Sequence, residues 1–352
     1  MKKSITLLLI SFSTLVFGQD YKVFHTSICY DMLSSFDNYE KIISNPFFEN
    51  TLAKDTIFIK DIEIINQKVR PSNICNLYAS LPTDKDDVKR CLDFFYSLEQ
   101  EDVPEKFKGK YVANIFSVMP QIKRVLQKLI TANYQKYWEE QVYPVLKQEI
   151  DSYTFEEGIL EKIHSELVKM AGNESLNEEY SKIYILDIDN AFSLNDETFC
   201  CTPLLLNKEI AKQYRINFIQ VYIHENLHRL YLSKKLMAKL DELYEQDAFY
   251  RKNEDLARKH GEGKNETFIV AAETYISRKL GLKTNSDVYQ EFTEYVEGSL
   301  VLSPIIYKYL CEYLEKQSFD SFLLSLFETK KIKAGNIEEQ YNKIMKELKN
   351  NT

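Results

Sequence analysis

Two histidines and a glutamate in the stretch VYIHENLHRL, residues 221–230, have the types and spacing that bind a metal. Apolar residues recur at helical intervals around them, so we expect a helix over about residues 216–236. On such a helix His224 and His228 lie one turn apart on one face, where both imidazoles reach the same cation. Glu225 is rotated about 100° from His224, which places its carboxylate beside a bound water. Two neutral nitrogen ligands with an adjacent general base are typical of zinc sites.

The competing interpretation is that both histidines are ordinary residues of a helix. Phe218, Ile223 and Leu227 make the stretch largely apolar. Polar side chains that are buried among apolar residues need hydrogen-bond or ionic partners, and a bound cation would be such a partner. We therefore expect a metal here, with Zn²⁺ as the cofactor.

A catalytic zinc site needs a third protein ligand and one open position. The extension that adds a histidine at position 234 is excluded, because that residue is Lys234. Downstream, GEGKNETFIVAAETYISRKL predicts a loop and then a helix that begins at about Asn265. Glu266 and Glu273 are seven residues apart and therefore share one face of this helix. Either carboxylate is a candidate for the third ligand.

HENLH followed by NETFIVAAE resembles the gluzincin pattern of zinc metallopeptidases. It is similar in particular to exported bacterial proteins with an HExxH helix and a downstream Asn-Glu helix. The match covers residues 216–280, and the N-terminal third has no diagnostic motif. The resemblance implies that Glu225 is the general base and that three residues are the zinc ligands: His224, His228 and Glu266.

One departure from this pattern leaves the third ligand open. The thermolysin-like branch has an aspartate four residues after the ligand glutamate, and this chain has Val270 there. Glu273 therefore stays an alternative ligand, a carboxylate that supports a ligating histidine, or a solvated or salt-bridged helix residue.

The resemblance implies hydrolysis of a peptide bond by a zinc-activated water, with Glu225 transferring the proton to the leaving amine. A further donor would stabilise the oxyanion; the candidates are His260, Tyr275, Tyr289 and Tyr295. In gluzincins an edge strand before the zinc helix holds the extended substrate. The strand KIYILDI (182–188) and the extended stretch 198–206 are the candidates, although KIYILDI is equally compatible with an internal strand.

The N-terminus MKKSITLLLISFSTLVFGQD is typical of a secretory signal peptide, residues 1–18, cut after Gly18. Its uncharged run is shorter than the roughly 20 residues of a membrane-spanning helix, the alternative interpretation. We therefore expect a periplasmic or secreted protein without a membrane anchor.

Cleavage removes Lys2 and Lys3 and changes the formal charge from −8 to −10. Such an acidic protein is a poor ligand for nucleic acids or anionic membranes, so the expected partner is a peptide or protein substrate.

The expected fold is α+β and predominantly helical, with a small mixed sheet beside a zincin-like active-site helix and a C-terminal helical lobe. Residues 19–100 form an N-terminal mixed α/β region in which YKVFHTSICY and TIFIKDIEII are predicted strands. Residues 101–352 form the zincin-like region, and the boundary near residue 100 is soft. Helix starts are predicted by a capping box of Thr83 and Asp86 and by Pro120.

The six cysteines lack a CxxC pair. We expect mostly buried thiols, with one or two disulfide bridges in an oxidising compartment.

Two further functions compete with a metallopeptidase. One is an inactive zincin-like protein with a binding or structural role, which the intact His-Glu-x-x-His triple disfavours. The other is a zinc hydrolase that cleaves a non-peptide amide. Substrate and oligomeric state are not predicted by these residues.

Overall fold

The computed structural model describes residues 24–80, 87–104, 110–172, 182–195, 198–207, 209–210, 217–313 and 317–352. The predicted signal peptide and the predicted capping residues Thr83 and Asp86 lie outside these ranges. Most of the described chain is helical, and the strands form one small mixed sheet, so the predicted α+β class is confirmed.

Short helices make up the first half of the chain. They are Ile28–Ser34 (α1), Tyr39–Ser44 (α2), Thr56–Lys68 (α3), Pro71–Ala79 (α4), Val88–Ser97 (α5), Lys110–Ser117 (α6), Met119–Thr131 (α7), Tyr134–Tyr137 (α8), Tyr143–Ser152 (α9) and Ile159–Ala171 (α10). A π-helical turn, Trp138–Val142, joins α8 to α9. Pro120 lies in the first turn of α7, as predicted.

Helices also dominate after the sheet. They are Phe218–Leu227 (α11), Lys234–Gln246 (α12), Ala248–Lys259 (α13), Glu266–Lys279 (α14), Asn285–Glu294 (α15), Leu302–Leu310 (α16), Phe319–Glu328 (α17) and Ile337–Asn350 (α18). Within the described ranges, no helix combines the length and the apolar character that crossing a bilayer requires.

The predicted strands near the N-terminus are mostly wrong. TIFIKDIEII lies in α3, which begins after Asp55, whose carboxylate accepts two backbone N–H hydrogen bonds in the first turn. Phe58, Ile62 and Ile65 are buried at intervals of four and three residues. This helical spacing outweighs the β propensity of the isoleucines. In the described part of YKVFHTSICY, from Phe24 onwards, two residues form a strand before the chain enters α1.

The sheet contains Phe24–His25 (β1), Lys182–Ile185 (β2), Ala191–Asn195 (β3) and Thr198–Cys201 (β4) in the order β1-β2-β4-β3. β1, β2 and β4 are parallel, and β3 is antiparallel to β4. Both predicted edge strands are therefore internal, and KIYILDI provides β2. The long edge strand is β3, because the chain leaves β2 for the outside of the sheet before it returns as β4.

The helix predicted over residues 216–236 is wrong at its C-terminal end. α11 ends at Leu227, and His228 is its C-cap residue. The next helix, α12, has its own N-cap, Ser233, whose hydroxyl accepts a backbone hydrogen bond and whose N–H donates to Asp320 Oδ1 at 2.6 Å. A cap fixed by a distant carboxylate separates α11 from α12.

One large hydrophobic core extends from α1 to α18 and includes residues on both sides of position 100. α14 packs against α11 and α16, and its Ala271 and Ala272 are fully buried. The packing of α14 against α11 brings the two predicted metal-binding segments together. The six cysteines are free thiols, five of them buried, so the expected disulfide bridges are absent.

Candidate metal centre

The histidines lie at the C-terminal end of α11. Asn217 and Gln220 start this helix with a reciprocal pair of hydrogen bonds, each side chain accepting the other residue's backbone N–H at 3.0 Å. His224 is in the last turn, and His228 caps the helix. Their Nε2 atoms face each other at 3.1 Å. The HExxH spacing therefore brings both imidazoles to one point, as predicted.

Glu266 is the first residue of α14 and is 4% exposed. Its Oε1 lies 3.1 Å from His224 Nε2, and its Oε2 lies 3.6 Å from His228 Nε2. One donor atom from each of the three side chains lies within 4.8 Å of the others. The structure thus brings His224, His228 and Glu266 into one group.

The spacing of these donor atoms fits a tetrahedral metal. Zinc bonds of about 2.0–2.2 Å to nitrogen and oxygen place neighbouring ligand atoms about 3.3–3.6 Å apart in a tetrahedron. The two Nε2 atoms lie 3.1 Å apart, Glu266 Oε1 lies 3.1 Å from His224 Nε2, and Glu266 Oε2 lies 3.6 Å from His228 Nε2, so each of these separations is close to this range. Two imidazoles and one carboxylate are also a common donor set for catalytic zinc, with a fourth position left for water or substrate. The residues present therefore fit such an ion.

The electrostatics of the group favour one added positive charge. Burial lowers the pKa of His224, but its hydrogen bond to Glu266 and the charges of Glu266, Glu225 and Glu273 outweigh this and raise the pKa to about 9. Burial raises the pKa of Glu266, and the His224 hydrogen bond and charge reverse the shift and lower it. Burial and the His224 charge lower the pKa of His228. Without a metal, a proton on His224 takes the place of a cation.

His228 has a second partner on its other ring nitrogen. The side-chain amide of Asn265 lies 3.4 Å from His228 Nδ1. A partner at Nδ1 orients the ring and leaves Nε2 for a cation. Gly263 makes room for this amide, since a Cβ at that position would lie 2.9 Å from Asn265 Oδ1. The loop before α14 therefore helps to orient a ligand of α11.

Glu225 is held by a residue that the sequence analysis did not identify. Ser193, on the edge strand β3, donates a 2.5 Å hydrogen bond from its hydroxyl to Glu225 Oε2. The backbone carbonyl of Ser193 accepts a hydrogen bond from Asn76 of α4 at 2.9 Å. No spacing rule links Ser193 to a glutamate 32 positions later, because the packing of β3 against α11 brings them together.

Tyr295 is the candidate oxyanion donor that contacts the group. Its hydroxyl donates to Glu266 Oε1 at 3.1 Å. Burial, and then the charge of Glu266, raise the pKa of Tyr295 well above its usual value. The phenol therefore stays protonated and acts as a donor to the carboxylate.

The other three candidate donors have different contacts. His260 Nε2 lies 3.0 Å from Glu297 Oε1. The ring of Tyr275 lies under the Lys279 ammonium, 5.9 Å from it. Tyr289 packs against a smaller apolar cluster that is separate from the main core. These contacts give none of the three a donor role at the group.

Glu273 lies two turns after Glu266 on α14 and is equally buried. Its carboxylate accepts hydrogen bonds from Ser277 Oγ at 2.7 Å and from the Lys283 ammonium at 2.9 Å. Lys283 also donates to Glu291 at 3.0 Å. Burial lowers the pKa of Lys283, but the two carboxylates outweigh it and raise the pKa. Of the interpretations considered for Glu273, the salt-bridged helix residue is the one that matches these contacts.

Glu262 adds a further acid to the loop before α14. Burial and the charge of Glu266 raise its pKa, while the charges of His224, His260 and Arg70 oppose this shift. The group therefore lies in a surplus of carboxylates, which favours a bound cation.

The chain matches no known protein-family model, and no curated protein or solved structure matches it significantly.

Proposed function

We propose that this chain is a zinc-dependent metallopeptidase of the gluzincin type, with His224, His228 and Glu266 as the zinc ligands and Glu225 as the general base. The observation that carries the proposal is the convergence of the His224 and His228 Nε2 atoms, 3.1 Å apart, on the Glu266 carboxylate, whose Oε1 and Oε2 lie 3.1 and 3.6 Å from them. One ligand atom from each side chain lies within 4.8 Å of the others. The residue next to His224 is a glutamate, which is the residue type and position that a water-activating base requires.

In the proposed hydrolysis, the zinc ion and the protein side chains have separate roles. Bound zinc would lower the pKa of a water molecule towards neutrality and polarise a substrate carbonyl. Glu225 accepts the proton of the attacking water and delivers it to the leaving amine. Ser193 keeps the Glu225 carboxylate in one orientation through its hydroxyl. Tyr295 holds the ligand Glu266 and is not free to stabilise an oxyanion while that hydrogen bond is made.

A peptide is the favoured substrate because an antiparallel edge strand adjoins Glu225. Extended peptides bind by adding a strand to such an edge. The carbonyl of Ser193 on β3 is already bonded to Asn76. A peptide that pairs at this residue must displace the Asn76 amide. With the predicted signal peptide, the proposal implies a periplasmic or secreted enzyme that acts on peptides or proteins.

The hydrogen bond between the Asn76 amide and the Ser193 carbonyl also favours a second candidate function. If Asn76 and α4 stay on the β3 edge, the protein binds zinc without cleaving peptides, as an inactive zincin-like binding or structural protein would. A zinc hydrolase of a non-peptide amide is the third candidate, because a small amide does not need the edge of β3.

The proposal is tested on the wild type, Glu225→Gln and Glu245→Gln. Two quantities are measured for each protein: its zinc content and its rate of cleavage of casein and of a peptide library. Glu245 is an exposed residue of α12 and serves as the matched control. We expect one zinc per chain in all three proteins, and cleavage roughly 10²–10⁴-fold slower only in Glu225→Gln. Wild type without stoichiometric zinc after supplementation would overturn the metal site. Zinc-loaded wild type that cleaves no peptide would support the inactive protein, and cleavage of simple amides alone would support the third candidate.

A further inference from the structure

Three consecutive residues after Tyr295 have left-handed backbone conformations. Val296 has φ 50° and ψ 40°, Glu297 has φ 56° and ψ 28°, and Gly298 has φ 69°. Only glycine adopts this region without steric cost, and a β-branched valine there is a strong outlier. Strain of this kind persists where surrounding contacts enforce it, and it concentrates at functional sites.

Local contacts fix the shape of this left-handed turn, residues 296–298. The carbonyl of Val296 accepts hydrogen bonds from the Ser299 backbone N–H at 3.1 Å and from the Ser299 hydroxyl at 2.7 Å. A Cβ on Gly298 would lie 3.0 Å from the carbonyl oxygen of Thr293. A larger residue at position 298 would therefore push the turn away from the end of α15.

The turn contacts the metal-binding segment on both sides. Before it, Tyr295 donates to Glu266 Oε1. Within it, Glu297 pairs with His260, the C-cap residue of α13, from which the loop to α14 departs. Tyr295 is the C-cap residue of α15 and has an extended backbone with φ −61° and ψ 125°, so the chain leaves the helix at Tyr295 and enters the left-handed turn with the next residue. The strained conformation thus accompanies the placement of a phenol on one oxygen of a buried carboxylate.

We propose that Tyr295 is a positioning residue for the metal ligand Glu266, and that the left-handed turn at 296–298 holds its hydroxyl in place. This inference rests on the proposed metal site and does not depend on peptide cleavage. A carboxylate fixed by a donor on Oε1 has its orientation set before a cation arrives. Residues that orient a metal ligand in this way typically change metal affinity by about 10–100-fold.

The dissociation constant for Zn²⁺, measured by competition with a chromophoric chelator, tests the role of Tyr295. Tyr295→Phe keeps the ring and removes only the hydroxyl, and we expect zinc to bind about 10–100-fold more weakly. Tyr289→Phe is the matched control, since the rings of Tyr289 and Tyr295 pack against the same smaller apolar cluster and only Tyr295 has a hydrogen bond to Glu266 among the described contacts. We expect it to bind zinc as the wild type does. Urea unfolding of the metal-free Tyr295→Phe protein should remain one cooperative transition with a midpoint lowered by no more than the loss of one hydrogen bond accounts for, which separates positioning from a general loss of structure.

A double-mutant cycle tests the role of the turn. Gly298→Ala should weaken zinc binding by displacing the turn, and combined with Tyr295→Phe it should weaken binding no further than the larger single effect, because both act through one hydrogen bond. If Gly298→Ala does not fold, Ser299→Ala loosens the same turn. Additive effects would overturn the role of the turn. Equal zinc affinity of Tyr295→Phe and wild type would overturn the whole inference, whereas a wild type without zinc would overturn the metal site itself.

Discussion

Two carboxylates on one face of α14 are equally buried but have different partners. Glu266 begins the helix and faces two imidazoles, whereas Glu273 lies two turns later and faces the ammonium of Lys283. Lysine supplies a permanent charge on a side chain fixed by the fold, so that end of the helix is a structural ion pair. Imidazoles carry a proton or give up a lone pair, and the other end is therefore where we propose an exchangeable cation. The partner of a buried carboxylate, more than its burial, decides which role the fold allows.

The largest effect is expected at the Lys283 end. Lys283→Met leaves Glu273 buried without its charge partner and should lower the free energy of unfolding by about 3–5 kcal/mol. Urea unfolding of the metal-free protein measures this change. Adding Glu273→Gln to the same chain should recover most of the loss, because the buried charge is gone. Zinc affinity should change little in either variant, and a loss comparable to that of a ligand variant would contradict the division of roles.

At the other end, Glu266→Ala should reduce zinc affinity by at least about 10²-fold, or about 2.7 kcal/mol, because it removes a donor from the cation. Glu273→Ala is its matched counterpart on the same helix and should retain zinc. Chelator competition on both proteins gives the comparison directly. A result in which Glu273→Ala loses zinc and Glu266→Ala keeps it would make Glu273 the third ligand.

A third buried carboxylate has neither a lysine nor an imidazole against it. Asp31 of α1 accepts hydrogen bonds from the Trp138 indole N–H and the backbone N–H of Asp187, both at 2.7 Å. Burial raises its pKa to about 7, although these two hydrogen bonds and the charge of Lys41 oppose the shift, while the Asp187 carboxylate adds to it. Neutral donors and the charge of Lys41 thus compensate the burial of this carboxylate only in part.

The raised pKa of Asp31 gives a signed prediction for stability. Because the folded state holds this proton more tightly than the unfolded state, its stabilising contribution is complete below about pH 4 and is lost as the pH rises towards 7. The slope is at most about 1.4 kcal/mol per pH unit. Asp31→Asn cannot titrate, so the difference in unfolding free energy between wild type and variant should shrink or reverse over that range. A difference independent of pH would show that Asp31 is ionised throughout.

The smallest effect concerns the edge of β3. Asn76→Ala removes the amide that occupies the Ser193 carbonyl. If a peptide competes for that acceptor, KM should fall by a few-fold with kcat unchanged, since about 1 kcal/mol of hydrogen bonding no longer opposes binding. Steady-state kinetics on one cleaved peptide measures this change. A raised KM would indicate that Asn76 contacts the substrate itself.

Local spacing predicted the parts of this molecule that depend on neighbours in sequence. His224, Glu225 and His228 lie within five positions, and the helical class follows from periodic apolar residues. The same approach failed for α3, where β-branched residues suggested a strand and the repeat of Phe58, Ile62 and Ile65 decided for a helix. It failed for the end of α11 because the cap at Ser233 depends on Asp320, 87 positions away.

The choice between the two acids of α14 was also beyond the sequence. Glu266 and Glu273 have the same chemistry and the same helical face, and their partners come from other elements. Ser193 and Tyr295 were underdetermined for the same reason, because the packing of β3 against α11 brings one to Glu225 and the end of α15 brings the other to Glu266. Roles set by tertiary contacts therefore required the fold.

The free thiols have a consequence for how opening of this protein can be observed. Cys311 is exposed, and the other five cysteines are buried. Burial raises the pKa of Cys75 to about 12 and raises that of Cys200 and Cys201 as well, so these thiols are both shielded and unreactive in the native state. A thiol reagent should therefore modify one site at once and the buried sites only when the core opens. The rate at which the buried thiols are modified therefore measures the rate of opening at α1, α4, α5 and β4.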